Sequence, residues 1–201
     1  MYSDTDFIYK SIHNFADYIK NKNIFYVSGN SNFGYYFCIF ENENILNLFF
    51  INEKDLAKII SDFELKFNNS LSFLKRDINL FFDMNLEIKN KNTKFILFGT
   101  NFQLKVWRAL VNISFGEKIS YSVLSESINK AKSSRAVANA IGKNPISYFM
   151  PCHRIVRKDG SLGGYRWGIH IKKRMLDFEQ SKAALSFPLG SSDSLHIKSD
   201  F

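Results

Sequence analysis

The segment Met150-Pro151-Cys152-His153-Arg154-Ile155 puts one of the chain's two cysteines directly beside one of its four histidines, with a proline in front and an arginine behind. A thiol attacks as its thiolate, and a neighbouring imidazole with local positive charge is what lowers a cysteine pKa far enough to supply one. Pro151 fixes φ and bars a helix interior, so Cys152 is expected on an irregular, presented segment. A Cys-His pair has a second reading, a small buried hydrophobe beside an unrelated histidine. Cys38, in the middle of an aromatic-rich run, takes that second reading.

The flanking residues read as short helices that would hold the pair. Thr100-Asn101-Phe102-Gln103 has the pattern of a capping box, after which Phe102, Val106, Ala109, Leu110 and Ile113 recur on one face. Gly116 turns the chain. Ser120-Tyr121 opens a second helix through Ile128, Asn129-Lys130 breaks it, and a third runs from Ser133 to Ile141 with Gly142 in C-cap position. Two short helices with a tight connection are the pattern of a helix-turn-helix. The second carries Arg135 near its start, then Ala136, Ala138 and Ala140. Small residues let a helix approach a groove closely, although they suit ordinary helix packing equally well. Gly160, Gly163, Gly164 and Gly168 surround Tyr165-Arg166-Trp167, so this stretch is expected to be a shaped loop whose aromatics can wall a flat pocket. A last helix spans His170 to Gln180.

Upstream, residues 1–22 carry apolar residues at helical spacing and predict an amphipathic helix. Residues 24–51 alternate and predict a small antiparallel sheet of hairpins. Residues 53–67 and 70–82 predict helices, and the polar stretch 83–94 a linker. The expected organisation is an N-terminal extension at 1–23, a small α/β domain with linker at 24–94, a catalytic and DNA-binding domain at 95–181, and a tail at 182–201. The net charge of +8 is unevenly placed. Residues 1–98 hold 11 Lys/Arg and 12 Asp/Glu, a net of −1, and residues 99–201 hold 16 and 7, a net of +9. A basic excess confined to the half that carries Cys152 fits a polyanionic partner, and nucleic acid above all. The apolar runs are too short to span a membrane, and no secretory signal opens the chain. Two distant cysteines offer neither a disulfide framework nor a metal cluster, so a reducing, cytoplasmic compartment is expected.

Phe102-Gln103-x-x-Val106-Trp107-x-Ala109-Leu110, Ser120-Tyr121, Arg135-Ala136-Val137, Asn144-Pro145, Pro151-Cys152-His153-Arg154 and Gly163-Gly164-Tyr165 occur in this order. Together they closely resemble the O6-alkylguanine-DNA alkyltransferase family, the methylated-DNA–protein-cysteine methyltransferases. The strong resemblance covers residues 98–180. Val137-Ala138-Asn139-Ala140 and Gly164 to Gly168 look most like the methyltransferase half of bacterial Ada. The resemblance implies an α/β N-terminal domain, a small antiparallel sheet with helices of ribonuclease H-like kind. It implies a mainly α C-terminal domain with a winged helix-turn-helix.

The activity implied is direct reversal of DNA damage. The alkyl group of O6-methylguanine, and less efficiently of O4-methylthymine, passes by SN2 displacement to the protein's own cysteine, here Cys152. By resemblance His153 acts through a water as its base, and Glu179 orients His153, in triad logic. The target base is flipped out through the minor groove. Arg135 would take its place in the stack, and Tyr121 would press the phosphate and donate a proton to the base. Asn144 would be the hinge between recognition helix and cysteine loop. Ala136, Ala138 and Asn139 would share the DNA face. Ile141, Ile155, Tyr165 and Arg166 would line the pocket, with backbone near Cys152 and Ile155 reading the base edge. The thioether product is a poor leaving group, so one turnover per chain is implied. No cofactor is needed for that chemistry, and no metal is expected, since residues 1–98 offer only Cys38 and His13, too few for the four-ligand zinc site of some relatives. The partner expected is double-stranded DNA containing O6-alkylguanine, with no membrane, bound by a monomer in a bacterial cytoplasm at the nucleoid.

The sequence departs from the family pattern at Ala138, where many members have glycine, and at Arg166-Trp167, where many have small residues. A tighter pocket and weaker action on bulky alkyl groups are expected. Two other readings compete. One is a non-catalytic lesion-binding protein of the alkyltransferase-like type, against which Cys152 argues. The other is a cysteine hydrolase, which has no need of a basic helix-turn-helix.

Overall fold

In the computed structural model, which describes residues 3–20, 22–66, 74–75, 82–131 and 133–186, the described part of residues 1–22 does not form the amphipathic helix that the spacing predicts. Phe7–Ser11 is a strand, β1, followed by a 3-10 turn at Ile12–Asn14 and a short helix, α1, Phe15–Ile19. β1 pairs in parallel along its whole length with β6, Phe95–Gly99. The buried Phe7 ring stacks on Phe95 at 4.7 Å. Pairing with a distant strand and burial of that ring override the local helical period.

The alternating run after Ile24 folds as its pattern predicts. β2 (Ile24–Asn30), β3 (Tyr35–Glu41) and β4 (Asn44–Phe50) are joined antiparallel. Asn42 supplies the left-handed backbone of the tight β3–β4 turn, at φ +51°. The whole sheet is mixed rather than purely antiparallel, with order β1-β6-β4-β3-β2-β5. β5 is Leu74–Lys75, parallel to β2. It lies inside the stretch 70–82 that predicts a helix; residues 70–73 and 76–81 lie outside the described residues. β6 follows the polar stretch 83–94 directly and joins the sheet beside β4, where Ile45 meets Phe95.

One face of the sheet packs under α1 and α2 (Leu56–Lys66), around Ile19, Ile24, Phe37, Ile39 and Ile96. The other face, with Val27, Phe40, Leu48, Phe95 and Leu97, shares a single core with the C-terminal helices through Val106, Trp107, Leu110, Ile146, Met150 and Met175. The site is therefore built against a sheet rather than on a free-standing helical unit.

α3 (Asn101–Val111) begins with the expected capping box, Thr100 Oγ1 accepting from Gln103 N–H and Gln103 Oε1 from Thr100 N–H. The Trp107 indole N–H donates to the Ala140 carbonyl at 2.9 Å and so ties α3 to α5, Ser134–Gly142. α4 (Tyr121–Ser127) ends at Asn129, which takes the left-handed conformation. Gly142 is the last residue of α5 and the cap falls on Lys143, so the glycine is no left-handed terminator. β7 (Ile119–Ser120) and β8 (Ile155–Val156) form a short parallel pair. α6 runs Ile169–Ser186, longer than its apolar period predicts, and residues 187–201 lie outside the described residues.

β4 also reaches the half that carries Cys152. Leu48 N–H donates to the Pro145 carbonyl (3.0 Å) and Ser147 N–H to the Leu48 carbonyl (2.7 Å), so the sheet pins the loop that leads to Cys152. Thr100→Ala should lower unfolding stability by about 1 kcal/mol, the usual loss for an N-cap hydroxyl, as read by urea denaturation.

Candidate active site

The loop from Asn144 to Cys152 is organised by one side chain. The Asn144 Oδ1 accepts from Ile146 N–H at 2.8 Å, and Nδ2 donates to the Met150 carbonyl at 3.0 Å. A backbone N–H only donates and a carbonyl only accepts, so these two bonds force the orientation of the amide. Its remaining N–H then faces sulfur, with Nδ2 3.0 Å from Cys152 Sγ. Between the two clamped ends, Tyr148 holds a left-handed backbone at φ +69°. Such a conformation costs on the order of 1 kcal/mol and persists where the surroundings over-determine it.

Cys152 begins a 3-10 turn, Cys152–Arg154, in which all three residues are buried. It is thus less presented than Pro151 implies, with 5% of its surface accessible. Burial pushes the thiol pKa up, opposed by the Asn144 amide, by the Tyr165 hydroxyl 4.0 Å away, and by the positive charge of Lys172. By resemblance His153 is expected to act on the sulfur through a water. In the structure the direct donor is Asn144, because the imidazole is engaged on its far side.

His153 Nε2 is 2.8 Å from Glu179 Oε1. Burial raises the Glu179 pKa, but hydrogen bonds and charge from His153 and Arg154 more than reverse this and hold it at about 2. An ionised carboxylate only accepts, so Nε2 carries the hydrogen and Nδ1 carries the lone pair. Burial keeps the imidazole pKa low, against the pull of Glu179, so the resting ring is neutral. Nδ1 is buried and bonded to no protein group among the described residues, which suits it to accept a proton.

Glu179 lies well inside α6, fully buried. Arg154 forks onto it, Nε at 2.9 Å from Oε2 and Nη2 at 2.8 Å from Oε1, while Nη1 donates to the Ile113 carbonyl at 2.6 Å. The Gly116 N–H adds a bond to Oε2 at 3.1 Å. Arg154 stands in the motif itself, yet sequence alone assigns it no partner. Lys172, also on α6, is fully buried; its ammonium donates to the carbonyls of Ile155 and Leu162. Burial pulls its pKa down to about 8, against the attraction of Cys152. Nothing in the spacing of α6 singles Lys172 out from its exposed neighbour Lys173.

Cys152 lines a cavity of about 230 Å³ with Tyr121, Ala138, Ile141 and Gly142 on one side and Gly164, Tyr165, Arg166 and Trp167 on the other. This is below the roughly 300–1,000 Å³ of pockets for drug-sized ligands and suits a single planar ring system. The Tyr165 hydroxyl is fixed by Ser147 at 2.9 Å, and its ring packs edge-on against Trp167 at 5.2 Å. Arg166 reaches across to the Gly142 carbonyl at 3.4 Å. Ile155, expected in the pocket wall, is instead core: it is fully buried in β8, opposite Ile119, and does not line the cavity. On α5, Arg135, Ala136 and Asn139 are exposed, Val137 and Ala140 are buried, and Ala138 is half-buried at the cavity edge.

Residues 101–181 match the family model for the DNA-binding domain of 6-O-methylguanine DNA methyltransferase. A probable methylated-DNA–protein-cysteine methyltransferase of Acanthamoeba polyphaga mimivirus is 37% identical over 140 residues, 68% of this chain and 82% of that protein. This chain belongs to the methylated-DNA–protein-cysteine methyltransferase family. The regulatory protein ada of Salmonella typhimurium is 49% identical over 84 residues, 42% of this chain, and the match spans only 24% of that relative's length. The crystal structure of Mycobacterium tuberculosis OGT in complex with DNA superposes with a TM-score of 0.56 at 27% identity, covering 79% of this chain and 94% of that one. The comparison extends through the sheet as well as the helices.

Two outcomes follow for this methyltransferase family member. Glu179 is depressed on folding, so its contribution to stability is complete above the ordinary carboxylate pKa near 4.5 and is lost as pH falls through about 2. Glu179→Gln should flatten that acid limb and cost about 3–5 kcal/mol at neutral pH by stranding the buried Arg154 charge, as measured by denaturation across pH. Asn144→Ala should slow Cys152 alkylation by iodoacetamide by about tenfold or more at neutral pH, the scale of a lost hydrogen bond to a charged group.

Proposed function

We propose that this protein repairs alkylated DNA by moving the methyl group of O6-methylguanine, and less well of O4-methylthymine, onto Cys152 in a single turnover. The observation that carries the reading is the sulfur itself, facing a base-sized cavity while Asn144 aims an N–H at it. Arg135, Ala136 and Asn139 on the exposed face of α5 would meet duplex DNA in the minor groove, with Ala138 bridging from that face to the cavity. Arg135 would fill the place of the flipped nucleotide, and Ile141, Tyr165 and Arg166 would enclose the base.

The thiol proton passes by way of a water to His153 Nδ1, and Glu179 stabilises the resulting imidazolium. The thiolate attacks the methyl carbon, the S–C bond forms, and the C–O6 bond breaks with its electron pair going to the base. Tyr121, whose pKa burial raises, stays protonated and supplies a proton to the departing base. It is later reprotonated from the imidazolium through solvent, so the base gains the proton that the thiol lost. The chain is left as a thioether, with neither cofactor nor metal needed for this chemistry.

The finer architecture belongs to the same proposal: a ribonuclease H-like sheet domain, and a winged helix-turn-helix with α5 as recognition helix. The short β7–β8 pair beside α4 supports the second. A monomer acting at the bacterial nucleoid completes the picture, and no helix among the described residues is long and apolar enough to cross a membrane.

Mass spectrometry after incubation with excess O6-methylguanine duplex should find one methyl per chain, on Cys152, and no second reaction. Cys152→Ala should abolish transfer while keeping lesion-duplex binding. If the unaltered protein binds the lesion tightly and gains no mass, the non-catalytic lesion-binding reading takes its place. With Arg166 and Trp167 closing the cavity, O6-benzylguanine should react about tenfold or more slowly than O6-methylguanine, the scale of steric discrimination by a close-fitting pocket. An Arg166→Ser, Trp167→Gly double variant should narrow that gap, as read from single-turnover rates.

A further inference from the structure

Arg157 has no part in the chemistry above, yet it lies beside Gly163 and Tyr121, and Tyr121 lines the cavity that holds Cys152. It anchors a tight turn just after β8: its N–H donates to the Ser161 carbonyl (2.8 Å) and its carbonyl accepts from Gly160 N–H (2.9 Å). Residues 157–161 are exposed throughout. The Arg157 side chain packs over Gly163, which takes a left-handed φ of +65°. A Cβ placed on Gly163 would lie 3.5 Å from Arg157 Cγ, 3.8 Å from its Nε and 3.8 Å from Tyr121 Cε2. A guanidinium stem and the Tyr121 ring thus converge on one point, and Tyr121 and Gly164 both line the cavity that holds Cys152.

The positive charge of Arg157 is felt at Tyr121, where it opposes the effect of burial. It is felt also at Asp159, whose carboxylate is held first by the Ser161 hydroxyl and then by the Ser161 N–H at 2.9 Å. No salt bridge joins Arg157 to a carboxylate among the described residues. Its planar fork of donors is of the kind that pairs with phosphate oxygens.

We propose that Arg157 is a positioning residue that grips a backbone phosphate next to the flipped nucleotide, beside Tyr121. The proposal rests on the DNA-repair reading and adds to it a second cationic contact, on the turn after β8 rather than on α5. Tyr121 and Arg157 would then hold the rotated strand from one rim while Arg135 occupies the stack.

The test measures single-turnover methyl transfer by intact mass against lesion-duplex concentration, at several salt concentrations, for the unaltered protein, Arg157→Ala and Arg157→Lys. In Arg157→Ala the half-saturating duplex concentration should rise about tenfold, the scale of one lost charged hydrogen bond. The limiting rate should change far less, and the slope of log affinity against log salt should shrink by about one phosphate's worth. Arg157→Lys should restore the slope. Unchanged half-saturation and slope in Arg157→Ala would overturn the proposal, as would a lost limiting rate with the slope intact, which would mark a packing role over Gly163. If the unaltered protein transfers no methyl at all, it is the repair reading that fails.

Discussion

The amide of Asn144 is the constraint on which the rest of the site depends. One planar group joins both ends of the loop between Ile146 and Met150 and, in the same orientation, turns its last N–H onto the Cys152 sulfur. Loop shape and thiol environment are therefore set together. A buried thiol surrounded by apolar groups resists ionisation, so a donor aimed at the sulfur opposes the effect of burial at that atom. The same clamp holds Tyr148 in its left-handed conformation, and the Tyr148 ring lies parallel to the His153 ring at 6.0 Å.

Behind the sulfur lies a second layer of buried charge. Glu179, His153 and Arg154 share one hydrogen-bond network, with Gly116 supplying a further donor. Taking these charges out of water is costly, and the arrangement is sustained because nearly every lone pair and proton in it has a partner. The consequence is chemical: with Glu179 ionised, the tautomer of His153 is decided, and the one imidazole nitrogen without a partner among the described residues is the one carrying a lone pair. Lys172 adds a cation on the same helix, bonded to carbonyls at the base of the cysteine turn and of the glycine-rich loop. α6 thus supplies both the carboxylate that fixes the His153 imidazole and a cation near the Cys152 sulfur.

The sheet has its own share in this. β4 hydrogen-bonds to Pro145 and Ser147, and its inner face forms one core with the helices that frame the cavity. β1 extends that sheet by pairing with β6, so residues near the start of the chain stabilise the strand that leads into α3. The sheet is a support for the cysteine loop.

Much of the candidate site was legible in the sequence where the determining interactions are local. The Cys152-His153 adjacency, the Thr100 capping box, the paired helices with an exposed Arg135, and the glycine-bounded aromatic loop all rest on spacings of a few residues. What the tertiary structure alone decided involves partners far apart in the chain. The strand at Phe7–Ser11 is a strand because Phe95–Gly99 lies beside it. His153 faces Glu179, 26 residues away, so Asn144 rather than the adjacent histidine touches the sulfur. Ile155 is core because β8 finds β7, and Lys172 is buried while Lys173 is exposed because only one of them faces the cysteine turn. Periodicity and residue type specify which faces are apolar and which groups can react. The direction in which a buried polar group points is set by whatever distant donor or acceptor satisfies it, and that is known only once the chain has folded.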